Sequence, residues 1–170
     1  VVYDTLDLHA KWVYEPVRPA IDSNGCYQVT NVHELYYFND FANDYLDEKP
    51  PVDACIQIMN DIVVHEKLEG LGPQKYTNYH DYVSWTPLNE YYNPFVGIVY
   101  GNGHTISGLF MDYSLSQPDV FNGFIEDREF DGQYPEVQNL YISNYYYNTK
   151  THTAKMLINA KGGAKSNNND

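Results

Sequence analysis

Positive charge is scarce in this chain of 170 residues. Lysine and arginine together number 10 against 23 aspartates and glutamates, which gives a formal net charge of -13. A surface this acidic repels phosphate backbones and anionic lipid headgroups, so we expect no nucleic-acid partner. The sequence also lacks an apolar run of about 18 residues, the length that a membrane-spanning helix needs, so we expect no membrane insertion.

Motifs of familiar catalytic and metal-binding chemistry are missing as well. The six histidines are scattered, and the sequence has no nucleophile elbow and no Walker loop. His104 follows a glycine corner, where it could act as a general base or bond a backbone carbonyl, and the second role is favoured. The acidic segment Glu126–Asp131 offers ligands for a weakly held calcium ion but lacks the EF-hand pattern. We therefore predict no enzyme activity, no metal site and no cofactor.

Cysteine occurs only twice, at Cys26 and Cys55. The segments that begin at these residues, CYQV at 26–29 and CIQI at 55–58, match position by position. If the two segments are adjacent parallel strands, the sulfurs are lateral neighbours and can form a disulfide. Two separate buried thiols are the alternative. A disulfide is typical of an oxidising compartment, so we predict the bridge and an extracellular or cell-surface location.

Tyrosine, in contrast, is abundant, with 18 tyrosines against 7 phenylalanines. Tyrosine-rich strands are common in extracellular β proteins, because the ring packs while the hydroxyl meets water. A long irregular segment, 65–94, carries a group of aromatic residues that could stack on sugars or simply cover the edge of the fold. These candidate ligand-binding residues are Tyr76, Tyr79, Tyr82, Trp85, Tyr91 and Tyr92.

The hydrophobic pattern predicts one helix and many short strands. Apolar residues recur at helical spacing over residues 31–43, where Asn31 offers an N-cap and Glu34 stands at capping-box distance. Residues 95–112 read as two strands joined by Gly-Asn-Gly, either a hairpin or a corner between two sheets. A strand–corner–strand unit recurs loosely along the chain. We therefore predict an all-β fold: a short right-handed parallel β-helix, or solenoid, with one N-terminal capping α-helix.

Three regions are predicted along the chain. Residues 1–20 are expected to be the tail of a preceding module followed by a proline-containing linker. Residues 21–165 are expected to form the β-helix domain, and residues 166–170 a disordered polar tail. The chain opens at Val1 without an initiator methionine or a signal peptide, as expected of a processed chain or a piece of a longer one.

Several motifs resemble those of bacterial cell-surface β-helix proteins of the GLUG-motif type. They are Y-x-V at 27–29, E-L-x-x-F at 34–38, M-N-D-I at 59–62, W-T-P-L at 85–88, F-x-G-x-x-x-G-x-G-H-x-I-x-G-L at 95–109 and V-x-N-L at 137–140. The resemblance covers residues 22–147, and Tyr100 departs from it because that position is usually aspartate. The opening segment L-D-L-H-A-K-W at 6–12 resembles the last strand of internalin-type β-grasp repeats.

The resemblance implies a module of a longer secreted or surface-anchored protein. The first functional hypothesis is accordingly a non-enzymatic adhesion or display module, with a glycan or a host or neighbouring surface protein as partner. The alternative is a carbohydrate-binding module that uses the exposed tyrosines and tryptophan. A second alternative is a β-helix enzyme that cleaves polysaccharides with a pair of carboxylates.

Overall fold

The structure is a computed structural model, and it describes residues 14–68, 82–89, 93–112, 123–126, 128–148 and 165–167. Short strands and one α-helix make up the regular structure of these residues. In chain order they are β1 (Ala20–Ile21), β2 (Cys26–Val29), α1 (Val32–Ala42), β3 (Cys55–Ile58), β4 (Ile62–Val63), a 3-10 turn (Glu66–Leu68), β5 (Ile98–Tyr100), β6 (Thr105–Ser107), β7 (Phe110–Asp112), β8 (Glu136–Gln138), β9 (Tyr141–Ser143), β10 (Tyr146–Asn148) and β11 (Lys165–Asn167).

Two mostly parallel sheets dominate the fold. The first has the order β1-β2-β3-β5-β8, and the second has the order β11-β9-β6-β4. Strands β7 and β10 form a separate parallel pair. The pairing of β1 with β2 is antiparallel, whereas the other pairings within the two sheets are parallel.

The predicted fold class is wrong. The protein is a mixed α/β structure with one helix and two mostly parallel sheets, and no solenoid or β-helix is detected over the described residues. The physical reason lies in the helix, which we expected only to cover the end of a strand stack. Its residues Leu35, Phe38 and Phe41 are buried in the same apolar core as the strands, so the helix is a packed layer of that core.

Helix α1 is capped as its sequence suggests. The Asn31 side chain accepts a hydrogen bond from the Glu34 backbone N–H at 3.1 Å, which satisfies one of the open donors of the first turn. The Glu34 carboxylate reaches back to the backbone N–H of Thr30 at 2.6 Å. Among the described residues no helix is long and apolar enough to cross a lipid bilayer.

Strand register aligns buried side chains across both sheets. In the first sheet Ile56 pairs with Val99, and Val99 pairs with Val137. In the second sheet Ile106 stands between Ile62 and Ile142. All of these side chains are buried, so each row packs against its neighbours along the stacking direction of the strands.

The Gly-Asn-Gly segment at 101–103 is a corner between sheets and not a hairpin. Strand β5 before it belongs to the first sheet, and β6 after it belongs to the second. Asn102 and Gly103 both have positive φ, at 53° and 82°, which turns the chain sharply. A Cβ on Gly101 would lie 2.3 Å from the backbone oxygen of Asn139, so only glycine fits this close approach.

The structure describes parts of the expected linker and of the expected polar tail. Residues 14–20, expected to be a linker, pack on the helix: the Tyr14 ring stacks on Tyr36 with centroids 4.7 Å apart. Residues 136–148 form three strands, β8, β9 and β10, which are separated by Asn139 and Asn144 at positive φ. Strand β11 occupies part of the expected polar tail, and residues 168–170 lie outside the described residues.

Candidate ligand-binding face

The outward side of the first sheet carries a row of polar side chains across four parallel strands. Gln28 pairs with Gln57, Gln57 with Tyr100, and Tyr100 with Gln138. We call these four residues the ladder face. Adjacent strands lie about 4.8 Å apart, so the row spans about 14 Å from β2 to β8.

The ladder face is partly open to solvent. Its four side chains are half-buried, whereas the residues before them on the same strands, Tyr27, Ile56, Val99 and Val137, are buried. This alternation follows from the two-residue period of a strand, which sends successive side chains to opposite faces. The ladder face is therefore the outer side of a sheet whose inner side is the core.

Two carboxylates hold two of the ladder amides. The Gln138 Nε2 donates to Glu136 Oε1 at 2.8 Å, and the Gln57 Nε2 lies 3.4 Å from Asp22 Oδ2. The Asp22 carboxylate also accepts the backbone N–H of Cys26 at 2.9 Å. This backbone bond is the main cause that holds the pKa of Asp22 below its usual range, so Asp22 is ionised at neutral pH.

The predicted disulfide lies in the same sheet, beside the ladder face. Cys26 and Cys55 are direct partners in the β2–β3 register, and a disulfide joins them with a Cα–Cα distance of 4.5 Å. The loop that the disulfide closes contains helix α1, so the bridge ties the helix-bearing segment to the sheet. The two strands that carry Gln28 and Gln57 are thereby covalently linked.

The aromatic residues predicted to bind a ligand are only partly described. Tyr76, Tyr79, Tyr91 and Tyr92 lie outside the described residues. Trp85 is fully buried, its Nε1 donates to the Phe124 carbonyl oxygen at 3.0 Å, and its ring stacks on Phe124. Trp85 is therefore a core residue, and neither face of its ring is open to a ligand.

Tyr82 belongs to a small aromatic stack. Its ring stacks on Phe110 with centroids 5.1 Å apart, and Phe110 stacks on Tyr146 at 4.9 Å. Phe110 and Tyr146 are buried and form a second apolar cluster with Leu68. One face of the Tyr82 ring is thus used in packing.

His104 has a carboxylate partner instead of the expected backbone carbonyl. Its Nδ1 lies 3.2 Å from Asp61 Oδ1, and the same oxygen accepts the Thr105 backbone N–H at 2.9 Å. The Thr105 bond and, after it, the His104 bond hold the pKa of Asp61 below its usual range. The pair joins the corner after β3 to the corner after β5, a structural role.

The acidic segment that suggested calcium contains a partly buried ion pair. Glu126 is 1% exposed and accepts a hydrogen bond from the Arg128 guanidinium at 2.6 Å. The Asn89 side chain donates to the backbone oxygens of both residues and fixes the segment in place. Over the residues that the structure describes, no group of three or more histidine, cysteine or acidic side chains could hold a metal ion.

The ladder face was not among the sites predicted from the sequence, although its signal was present. The matched segments CYQV and CIQI place glutamine at the same third position, and IVY and EVQ continue the pattern with tyrosine and glutamine. The register shows that the third positions form one row.

Comparison with known proteins finds no relative of this chain. No family model matches the chain, and no curated protein or solved structure shows detectable similarity to it. The resemblance to GLUG-type surface proteins thus stays a prediction from the motifs.

Proposed function

We propose that this chain is a non-enzymatic extracellular module, used for adhesion or display at a cell surface. The observation that carries the proposal is the Cys26–Cys55 disulfide between two register-matched strands. Disulfides of this kind persist in oxidising compartments and are rare in the reducing cytosol. The high net negative charge favours solubility in such a setting.

Two of the described side chains that could take part in catalysis, His104 and Glu126, have structural partners, which supports a module that binds and does not catalyse. His104 pairs with Asp61, and Glu126 pairs with Arg128. These pairs join separate parts of the chain or stabilise a loop. The GLUG-type motifs point in the same direction, because the proteins they resemble are surface proteins.

Labelling of intact cells tests the proposed location. Cells of the organism that makes the protein are treated with a membrane-impermeant amine reagent or with an added protease, and the protein is followed with a specific antibody. We expect the protein to be labelled and shaved from intact cells, while a cytosolic marker is spared. Protection equal to that of the cytosolic marker would contradict the proposal.

A further inference from the structure

We propose that the ladder face binds a neutral glycan, with Tyr100 as the central contact. The inference rests on the proposed extracellular role and names the kind of ligand for it. Gln28, Gln57 and Gln138 supply amides on strands β2, β3 and β8, and Tyr100 supplies a ring on the strand between them. This site differs from the aromatic group predicted from the sequence.

The three amides have the chemistry that sugar hydroxyls need. Each glutamine has two N–H donors and a carbonyl oxygen with two lone pairs, so it can donate to one hydroxyl and accept from its neighbour. The bond from Gln57 to Asp22 and the bond from Gln138 to Glu136 each use a single N–H donor. The remaining donor and the acceptor oxygen of each amide are chemically suited to a ligand.

The same two bonds reduce the entropy that these amides lose on binding. A glutamine that is free in solvent must give up rotamer freedom when it contacts a ligand. Gln57 is bonded to Asp22, and Gln138 to Glu136, before any ligand arrives. The disulfide further fixes the strand of Gln57 beside the strand of Gln28.

Tyr100 provides an apolar surface in the middle of the row. Its side chain is half-buried and stands between Gln57 and Gln138 in register. A pyranose ring has an apolar C–H face that packs on an aromatic ring while its hydroxyls bond to flanking polar groups. An aromatic side chain between two amides matches this combination.

The charge beside the row and the spacing of its strands narrow the class of ligand further. The carboxylates of Asp22 and Glu136 border the row, and they would repel the carboxylates of an acidic polysaccharide. The spacing of adjacent strands, about 4.8 Å, is close to the length of one pyranose residue. An extended neutral oligosaccharide laid across the strands would therefore place about one sugar on each ladder residue.

Calorimetric titration of the oxidised full chain tests the site. The probes are cellohexaose, xylohexaose, mannohexaose and chitohexaose, with hexagalacturonate as the anionic comparison. We expect at least one neutral hexamer to bind, and hexagalacturonate to bind at least tenfold more weakly. Tyr100→Ala should weaken binding of that neutral hexamer at least tenfold, whereas Tyr100→Phe should keep it, because the ring is the contact.

Tyr141 supplies the matched control. It is a half-buried tyrosine at an outward position of the second sheet, so Tyr141→Ala removes a comparable ring from a different face. Binding should be unchanged in Tyr141→Ala. If Tyr100→Ala does not fold, two other variants replace it, Gln57→Ala and Gln138→Ala. Thermal melting checks that each of them is folded. Each should weaken binding at least threefold.

Three results would overturn the inference. They are the absence of binding by all four neutral hexamers, binding that survives substitution of the ladder residues, and equally tight binding of hexagalacturonate. None of these results bears on the cell-surface location, which the labelling of intact cells tests separately. The two proposals can thus fail independently.

Discussion

Removal of the disulfide gives the most quantitative prediction for this fold. The bridge joins residues with a sequence separation of 29. In the chain-entropy model, closing a loop of this length lowers the free energy of folding by about 3.5 kcal/mol at 25 °C. For a chain of this size, loss of this stabilisation corresponds to a melting temperature lower by roughly 7–14 °C.

The perturbation is the double substitution Cys26→Ala with Cys55→Ala. Urea unfolding is followed by tyrosine and tryptophan fluorescence, for the wild type with and without reductant and for the variant. Cys26 is buried, so the variant also loses some packing, and reduced wild type serves as the reference that separates the two effects. Reductant should destabilise the wild type by about 3.5 kcal/mol and leave the variant unchanged. A difference below about 1 kcal/mol between oxidised and reduced wild type would refute the reasoning.

Three further predictions follow from the backbone, the helix cap and a buried histidine. Gly101→Ala should cost at least about 3 kcal/mol because its Cβ would lie 2.3 Å from backbone atoms, whereas Gly103→Ala, at positive φ but in open space, should cost about 1–2 kcal/mol in the same urea assay. Asn31→Ala should cost about 1 kcal/mol through loss of the cap on the Glu34 N–H, and Asn31→Ser should restore most of it. Burial lowers the pKa of the His65 imidazole in the folded chain. Below a pH of about 6.5 the unfolded chain therefore binds a proton at His65 more readily than the folded chain does. The free energy of unfolding should fall as the pH drops from about 6.5 toward the folded pKa. In His65→Gln this decline should be reduced between pH 7 and pH 5; an unchanged slope would contradict the assignment.

The helix and the sharp turn at 101–103 could be predicted because their signals are local, although the sequence left open whether this turn is a hairpin or a corner between sheets. Asn31 and Glu34 mark the start of α1 within one turn of chain. Gly101 and Gly103 mark a sharp change of direction without reference to distant residues. The partner of Cys26 could also be predicted, because two matching tetrapeptides in parallel register place the sulfurs side by side.

The fold class could not be predicted because it depends on where the helix packs. The spacing of apolar residues in 31–43 shows that one helix face is buried, but not whether that face covers a strand edge or enters the core. The buried aromatic Trp85 illustrates the same limit. Its sequence neighbourhood is irregular, and contacts with distant residues make it a core residue: its ring stacks on Phe124, 39 positions away, and lies edge-on to Tyr36.

The ladder face depends on the register of four strands that are distant in sequence. Gln28 and Gln138 belong to strands at opposite ends of the row, and only the successive pairings through Gln57 and Tyr100 align them. A period-two pattern identifies the outward positions of each strand but not which strands are neighbours. The sequence therefore shows a polar residue at the third position of each strand, but it does not show that these residues form one row.

Mass mapping of the disulfide in protein isolated from its source, without reductant and with free thiols alkylated, tests the central claim most directly. Trypsin is unsuitable because Lys49, the one lysine or arginine between the cysteines, precedes Pro50. Cleavage after Glu34 and Glu48 separates Cys26 from Cys55. The account predicts that the two peptides stay joined until a reductant is added. Recovery of both as separate alkylated peptides would contradict the disulfide and the extracellular module built on it.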